Sequence, residues 1–288
     1  MADSPRPVFR FAPTPNGLLH LGHAYSALMN AQRAQEVNGI LLLRLDDLDA
    51  TRARPEFIAA IDEDLAWLGI AFASSVRRQS RHLRDYDAAI AMLTAQGLVY
   101  ACGCSRLDIA RANPNLSDPD GAPLHRRRCR AVAPEARMAW RLDMAGAIKA
   151  HGAGLTWREF GEAEEALEAP ADPAAWGDIS LAGKQRRASY HLSVVVDDAA
   201  QEISDVVRGR DLRAATSAHR LLQQCLGLAA PRYRHHRLAM QSATKKMSKS
   251  DQSTSLRALR GQGYSAQDLR VALGFAQGPA MPLPVALS

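Results

Sequence analysis

His20 and His23 stand three residues apart in "HLGH", just after the turn "TPNG" and at the start of a predicted helix. That spacing puts both imidazoles on one face of the first helical turn. A helix N-terminus favours anions, and two ring N–H groups beside it would donate to phosphate oxygens. Gly22 between them leaves room for a ligand to approach the backbone. Far downstream, "KKMSKS" sets Lys246 and Lys249 around Met247 and Ser248, among serines that suit a loop able to close and reopen. Taken singly, the histidines also read as a satisfied surface pair, and the lysines as a solvated basic loop.

A third group has the residue types of a metal site. "ACGC" and "HRRRC" supply Cys102, Cys104, His125 and Cys129, four ligands of the kind that close a tetrahedral structural zinc site. Zinc there would order a segment too polar to fold on a core of its own. The alternative is buried free thiols beside a loop histidine. Arg126, Arg127, Arg128 and Arg130 suit RNA phosphates or open solvent equally. Cys225 falls on an apolar helical position and reads as core.

These groups need a scaffold. "PVFRFAP" alternates and stops at proline, which predicts a strand ending near Ala12 with Arg10 close to its carboxyl end. "LLHLGHAYSALMNAQRAQEVNG" reads as a helix closed by Gly39, and "ILLLRLDD" as a buried strand ending in Asp46 and Asp47. Helices follow over roughly 55–68 and in "RHLRDYDAAIAMLTAQG". "YHLSVVVDD" predicts another buried strand, ending in carboxylates that include Asp197; "ISDVVRG" and the helix "ATSAHRLLQQCLG" come next. Alternating strands and helices give a parallel α/β sheet, which binds ligands at the carboxyl ends of its strands. The sheet is expected in two halves, 1–98 and 186–240. A zinc-type insertion over 99–132 and a connecting subdomain over 133–185 divide them, and 241–288 carries the lysine loop.

With 47% hydrophobic residues, the 288-residue chain can bury a full core. Its formal charge of +6 is a mild basic excess, compatible with a polyanionic partner without demanding one. No apolar run approaches the ~18 residues needed to span a bilayer, and no signal-peptide core opens the chain. We expect no membrane partner, a reducing cytoplasmic setting and a monomer.

"PTPNGLLHLGH" and "KMSKS" together closely resemble the paired nucleotide-binding signatures of class I aminoacyl-tRNA synthetases. The resemblance implies a Rossmann-type sheet that binds ATP, accompanied by magnesium, between the two loops. His20 and His23 would hold the triphosphate, while Lys246 and Lys249 would stabilise the departing pyrophosphate. "RFAPTPNGLLHLGH", "LLRLDDLD", "YHLSVVVDD" and "VVRGRDL" narrow it to the glutamyl branch, over most of residues 8–255. In that branch, residues matching Arg10, Ala12, Thr14, Asp46, Tyr190 and Arg208 line the amino-acid pocket.

Their chemistry fits L-glutamate on its own terms. Arg10 and Arg208 can each offer a fork to one carboxylate, Tyr190 a hydroxyl donor, and Asp46 a counter-charge for the ammonium. The branch usually carries glutamate where this chain has Asp46, and glutaminyl enzymes carry aspartate. The shorter side chain draws the charge back by ~1.5 Å, but Arg10 matches a neutral amide poorly, which favours glutamate. Only 38 residues follow Ser250, fewer than a helical anticodon-binding region needs. The expectation is therefore a truncated paralogue of the branch. Such enzymes activate glutamate without tRNA and attach it to queuosine at the wobble position of tRNA(Asp). The rivals are a short glutamyl-tRNA synthetase charging the 3′ end, a nucleotidyltransferase acting on a small molecule, and a non-catalytic RNA-binding paralogue. The last has no use for both motifs intact.

Overall fold

The run "ILLLRL" and the alternating "VFRF" fold as neighbouring parallel strands, β1 (Val8–Phe11) and β2 (Ile40–Leu45), with Val8 opposite Ile40 and Phe11 opposite Leu43. The computed structural model describes residues 5–126, 138–161, 165–183, 187–240, 255–281, 283 and 286–287. These form two compact units, the first drawn from 1–80, 203–211 and 233–288, the second from 81–202 and 212–232. A parallel pair needs a crossover, supplied here by helix α1 (Leu21–Glu36). Gly39 returns the chain to the sheet, where an added Cβ would lie 2.7 Å from the Pro7 carbonyl oxygen. Helix α2 (Pro55–Trp67) opens on proline, whose fixed φ suits a first helical position, and the two-residue strand β3 (Arg77–Arg78) pairs in parallel with β2.

The second unit begins with helix α3 (Leu83–Ala95), which buries Tyr86, Ala89 and Leu93. Strand β4 (Val99–Cys102) leads to a short helix, α4 (Arg106–Ala112), capped by Ser105. Strand β5 (Ala139–Leu142), helix α5 (Met144–His151), the hairpin β6 (Thr156–Phe160) and β7 (Ala166–Pro170), and strand β8 (Ser180–Ala182) follow. β4, β5 and β8 make a small antiparallel sheet.

"YHLSVVVDD" is not the expected strand but helix α6 (Tyr190–Ala200). A short apolar run is equally compatible with a buried strand or a buried helix turn. Two local features decide for the helix: the Ser189 hydroxyl accepts from the Leu192 amide as an N-cap, and Asp197 turns inward. Asp197 does not stand at a strand's carboxyl end; it is fully buried and accepts a hydrogen bond from the Tyr86 hydroxyl, 2.9 and 3.0 Å from its two oxygens. α6 packs on α3 and on helix α7 (Ala215–Leu226), where Cys225 is core and burial pushes its thiol up to about 11.

Back in the first unit, strand β9 (Asp205–Gly209) pairs in parallel with β1, Phe9 opposite Asp205, and strand β10 (Arg232–His236) lies beside it. The strand order is β3, β2, β1, β9, β10. Strands β11 (Ala239–Met240) and β12 (Ala286–Leu287) form an antiparallel pair. Helices α8 (Leu256–Gly261) and α9 (Ala266–Ala272) complete the unit. Phe9, Phe11, Leu41 and Leu43 of the sheet share one core with Leu21, Leu28, Ile61, Leu65, Leu256 and Leu269 of the helices. One carboxylate enters this apolar contact: Asp64 of α2 is fully buried, with no hydrogen-bond partner among the described residues and with the Arg260 guanidinium 3.8 Å away. Burial pushes its pKa up to about 6 against the pull of Arg260 and Arg257. No helix among the described residues is long and apolar enough to cross a membrane.

Candidate active site

Alternation along β1 sends Phe9 and Phe11 to the core and Arg10 to the opposite face. Arg10 is buried, and its Nη1 reaches the Val207 carbonyl at 3.5 Å. The Asn30 side chain of α1 donates to that same carbonyl at 3.1 Å. The next residue, Arg208, is also buried; its Nε donates to Nε2 of His235 at 3.2 Å, and its guanidinium lies 5.3 Å over the Tyr233 ring. Adjacent parallel strands thus carry two buried guanidiniums, the side chain best suited to a carboxylate.

The loop after β1 brings Ala12 and Thr14 alongside the end of β2. The Asp46 amide donates to the Pro13 carbonyl at 3.1 Å, so Asp46 abuts the segment that holds both. Its carboxylate accepts from Nε of the fully buried Arg44 at 3.0 Å. Asp47 has a different job. Buried, it accepts from Arg78 Nε at 2.9 Å and from the Ser80 amide and hydroxyl at 2.8 Å each, tying β2 to the edge strand β3.

The two histidines meet, though not as two members of one helical turn. His20 is the N-cap of α1 and His23 its third residue, with ring centroids 3.8 Å apart. The Gly22 amide donates to His20 Nδ1 at 3.1 Å, and the His20 amide to His23 Nδ1 at 3.2 Å. An Nδ1 that accepts carries no proton, so each neutral ring bears its hydrogen on Nε2, as a donor. His20 also forms an antiparallel bridge with Ser255, and the Leu256 amide donates to the Leu19 carbonyl at 2.8 Å. The chain immediately after the lysine motif is therefore fastened to the histidine motif. Lys246 and Lys249 themselves lie outside the described residues.

Tyr190 belongs to the second unit, as the first residue of α6. Its ring sits edge-on to His191 and His219, centroids 5.7 and 5.6 Å away, and those imidazoles share a 3.2 Å contact.

Also in the second unit, Cys102, Cys104 and His125 place their ligand atoms within 4.8 Å of one another; Cys129 lies outside the described residues. Cys102 Sγ and His125 Nε2 are 3.6 Å apart. Behind His125, its Nδ1 faces Asp178 at 3.4 Å and the Tyr100 hydroxyl at 3.2 Å, while that hydroxyl donates to Asp178 at 2.6 Å. Burial works to raise the Asp178 pKa, but hydrogen bonds from His125, Tyr100 and the Met144 amide outweigh it and hold the carboxyl below its usual range. Tyr100 is pushed far up, first by burial and then by that carboxylate. A charged Asp178 keeps the proton on Nδ1 and aims the Nε2 lone pair at the thiols, as a metal-binding histidine requires. The donor set suits zinc.

Arg44, His235 and Asp178 escaped the sequence reading. Each acts through a partner that folding alone supplies.

The chain belongs to the class I tRNA synthetases (E and Q): the catalytic-domain model of that family matches residues 8–140 and 171–276. It is 40% identical over 286 residues to the glutamyl-Q tRNA(Asp) synthetase of Rhodobacter capsulatus, covering 93% of this chain and 99% of that protein. It is 33% identical over 273 residues to a glutamate–tRNA ligase of Prochlorococcus marinus, covering 90% of this chain and only 56% of the ligase. Among solved structures, a glutamate tRNA ligase from Elizabethkingia meningosepticum in complex with its amino acid superposes with a TM-score of 0.74 at 19% identity. The match covers 93% of this chain and 60% of that one, and shows the shared fold.

Proposed function

We propose that the protein activates L-glutamate with ATP, without tRNA, and transfers it to the queuosine base at the wobble position of tRNA(Asp). The observation that carries this is the 40% identity along 99% of the Rhodobacter capsulatus protein of that name. Geometry supports the glutamate half, with Arg10 and Arg208 on adjacent strands and Asp46 beside the Ala12–Thr14 loop. Tyr190 joins this set on the resemblance alone.

In the first step a glutamate carboxylate oxygen attacks the α-phosphorus of ATP. A carboxyl–phosphate bond forms, the bond to the β-phosphate oxygen breaks, and pyrophosphate leaves. No protein nucleophile is needed, only positioning and charge neutralisation. The Nε2–H groups of His20 and His23 meet the phosphates at the start of α1. Lys249, six residues before Ser255 in the chain, stabilises the departing pyrophosphate together with Lys246. Magnesium accompanies the triphosphate. A hydroxyl of the modified base then attacks the adenylate carbonyl and gives up its proton to solvent; the ester bond forms, the acyl carbon–oxygen bond breaks, and AMP departs with that oxygen. Cys102, Cys104 and His125, with Cys129, would hold a zinc ion that orders the surrounding segment. The proposed use of ATP and tRNA supports a cytoplasmic setting for the enzyme.

A second reading, charging of the tRNA 3′ end, has the match to the Prochlorococcus marinus ligase in its favour. One experiment separates them: charging with labelled glutamate on tRNA from cells that make queuosine and from cells that cannot, before and after periodate oxidation of the 3′ end. Label confined to the queuosine pool and surviving oxidation is the expected result. Label on both pools that oxidation abolishes would establish 3′ charging instead.

A further inference from the structure

Arg208 is more tightly placed than a surface arginine. Neighbouring β10 contributes Tyr233 and His235, two residues apart and therefore on one face of the strand. Their rings lie within 5° of parallel, with centroids 6.0 Å apart. The central carbon of the Arg208 guanidinium lies over the buried Tyr233 ring, 5.3 Å from its centroid, and His235 takes the Nε hydrogen at 3.2 Å. An arginine cannot accept, so His235 Nε2 must be the acceptor, unprotonated, with the ring proton on Nδ1. With Nε committed, a carboxylate can be met at two points only by the edge formed by Nη1 and Nη2.

We infer that His235 is a positioning residue for glutamate recognition: it rotates Arg208 so that the terminal Nη edge, rather than the Nε edge, faces the substrate carboxylate. This rests on the reading of Arg208 as a glutamate ligand. It explains why strand β10, which supplies no glutamate ligand itself, presents a stacked tyrosine–histidine pair to β9. The selectivity gained is for a planar acceptor approaching end-on.

The test compares His235→Gln with His235→Asn. The Gln oxygen reaches about as far as Nε2, whereas the Asn oxygen reaches only as far as Nδ1. Both are polar and both accept, so a purely structural role treats them alike. Glutamate and ATP KM values are measured with queuosine-bearing tRNA(Asp) present, so the readout does not depend on whether activation needs RNA. We expect His235→Asn to raise glutamate KM about tenfold, the size of a lost hydrogen bond to a charged group. Within about threefold, ATP KM and kcat should hold, and His235→Gln should restore glutamate KM. Equal glutamate KM for the two variants overturns the inference. Arg208→Ala separates the two layers: if it leaves glutamate KM unchanged, the site reading fails and the inference with it. If it raises KM while His235→Asn does not, only the inference fails.

Discussion

Arg10 and Arg208 stand on parallel strands that give Phe9, Phe11 and Val207 to the core of their unit, whereas Cys102, Cys104 and His125 stand on a short antiparallel strand and the chain around it. The arginines inherit their rigidity from burial: sheet, helix and partner strand fix each guanidinium through Val207, His235 and Tyr233. In the cluster Cys102 and His125 are just as buried, but their neighbours include a polar chain through Tyr100, Asp178 and Met144. A binding group set in a hydrophobic sheet tolerates an empty site. A ligand cluster held by hydrogen bonds depends on each of them, and on the metal it would bind.

Breaking each side in turn tests that contrast. Arg10→Ala should lower kcat/KM for glutamate by about 10²–10³-fold, the loss of a charge-assisted fork, while leaving bound zinc per chain unchanged. A matching fall in metal content would show the two regions to be one cooperative structure. Asp178→Asn presents an amide N–H where the Tyr100 hydroxyl and His125 Nδ1–H need an acceptor. Zinc affinity, measured by chelator competition, should fall about 10–100-fold, with glutamate KM moving less than about threefold. An unchanged affinity would mean that the imidazole needs no second partner.

The smallest effect belongs to Asp64, a charge buried in the rigid unit. Its folded pKa, about 6, lies above the ordinary 3.8, so the folded state holds the proton more tightly than the unfolded chain does. Stability is then full below the unfolded value and is lost as pH rises through about 6. Asp64→Asn removes that loss. The variant should be roughly 1–2 kcal/mol more stable than its parent at about pH 8, with the gap closing near pH 4. A variant less stable at about pH 8 would show that the Arg260 pair outweighs the burial cost.

How much of this was legible in the sequence depended on how local the signal was. "HLGH" and "KMSKS" announce chemistry by composition, and the β1–α1–β2 pattern follows from alternation, an apolar run and a turn. "YHLSVVVDD" misled because five residues from Leu192 to Val196 pack as well in a helix as in a strand. The corrective sign was present, a serine three residues before Leu192, and was outweighed by the valines. Tertiary partners leave no such mark. His235 lies 27 residues from Arg208, and Asp178 lies 53 from His125, with nothing in either neighbourhood to suggest the meeting. Arg44 stands two residues before Asp46, but its total burial could not be read from "LLRLDD".

The anchoring of the histidine motif bears on the order in which a ribosome delivers the chain. Strand β1 emerges early, yet the Val8 amide waits for the hydroxyl of Ser204, 196 residues later, and β9 is the neighbour on that side. His20 waits longer still, for Ser255. Until then the nascent chain shows an unpaired strand edge and a histidine turn with half its supports, a state prone to sticking to other chains. The proposed nucleotide site would therefore be completed late in synthesis, and a polypeptide halted before Ser255 would carry the first motif without its anchor.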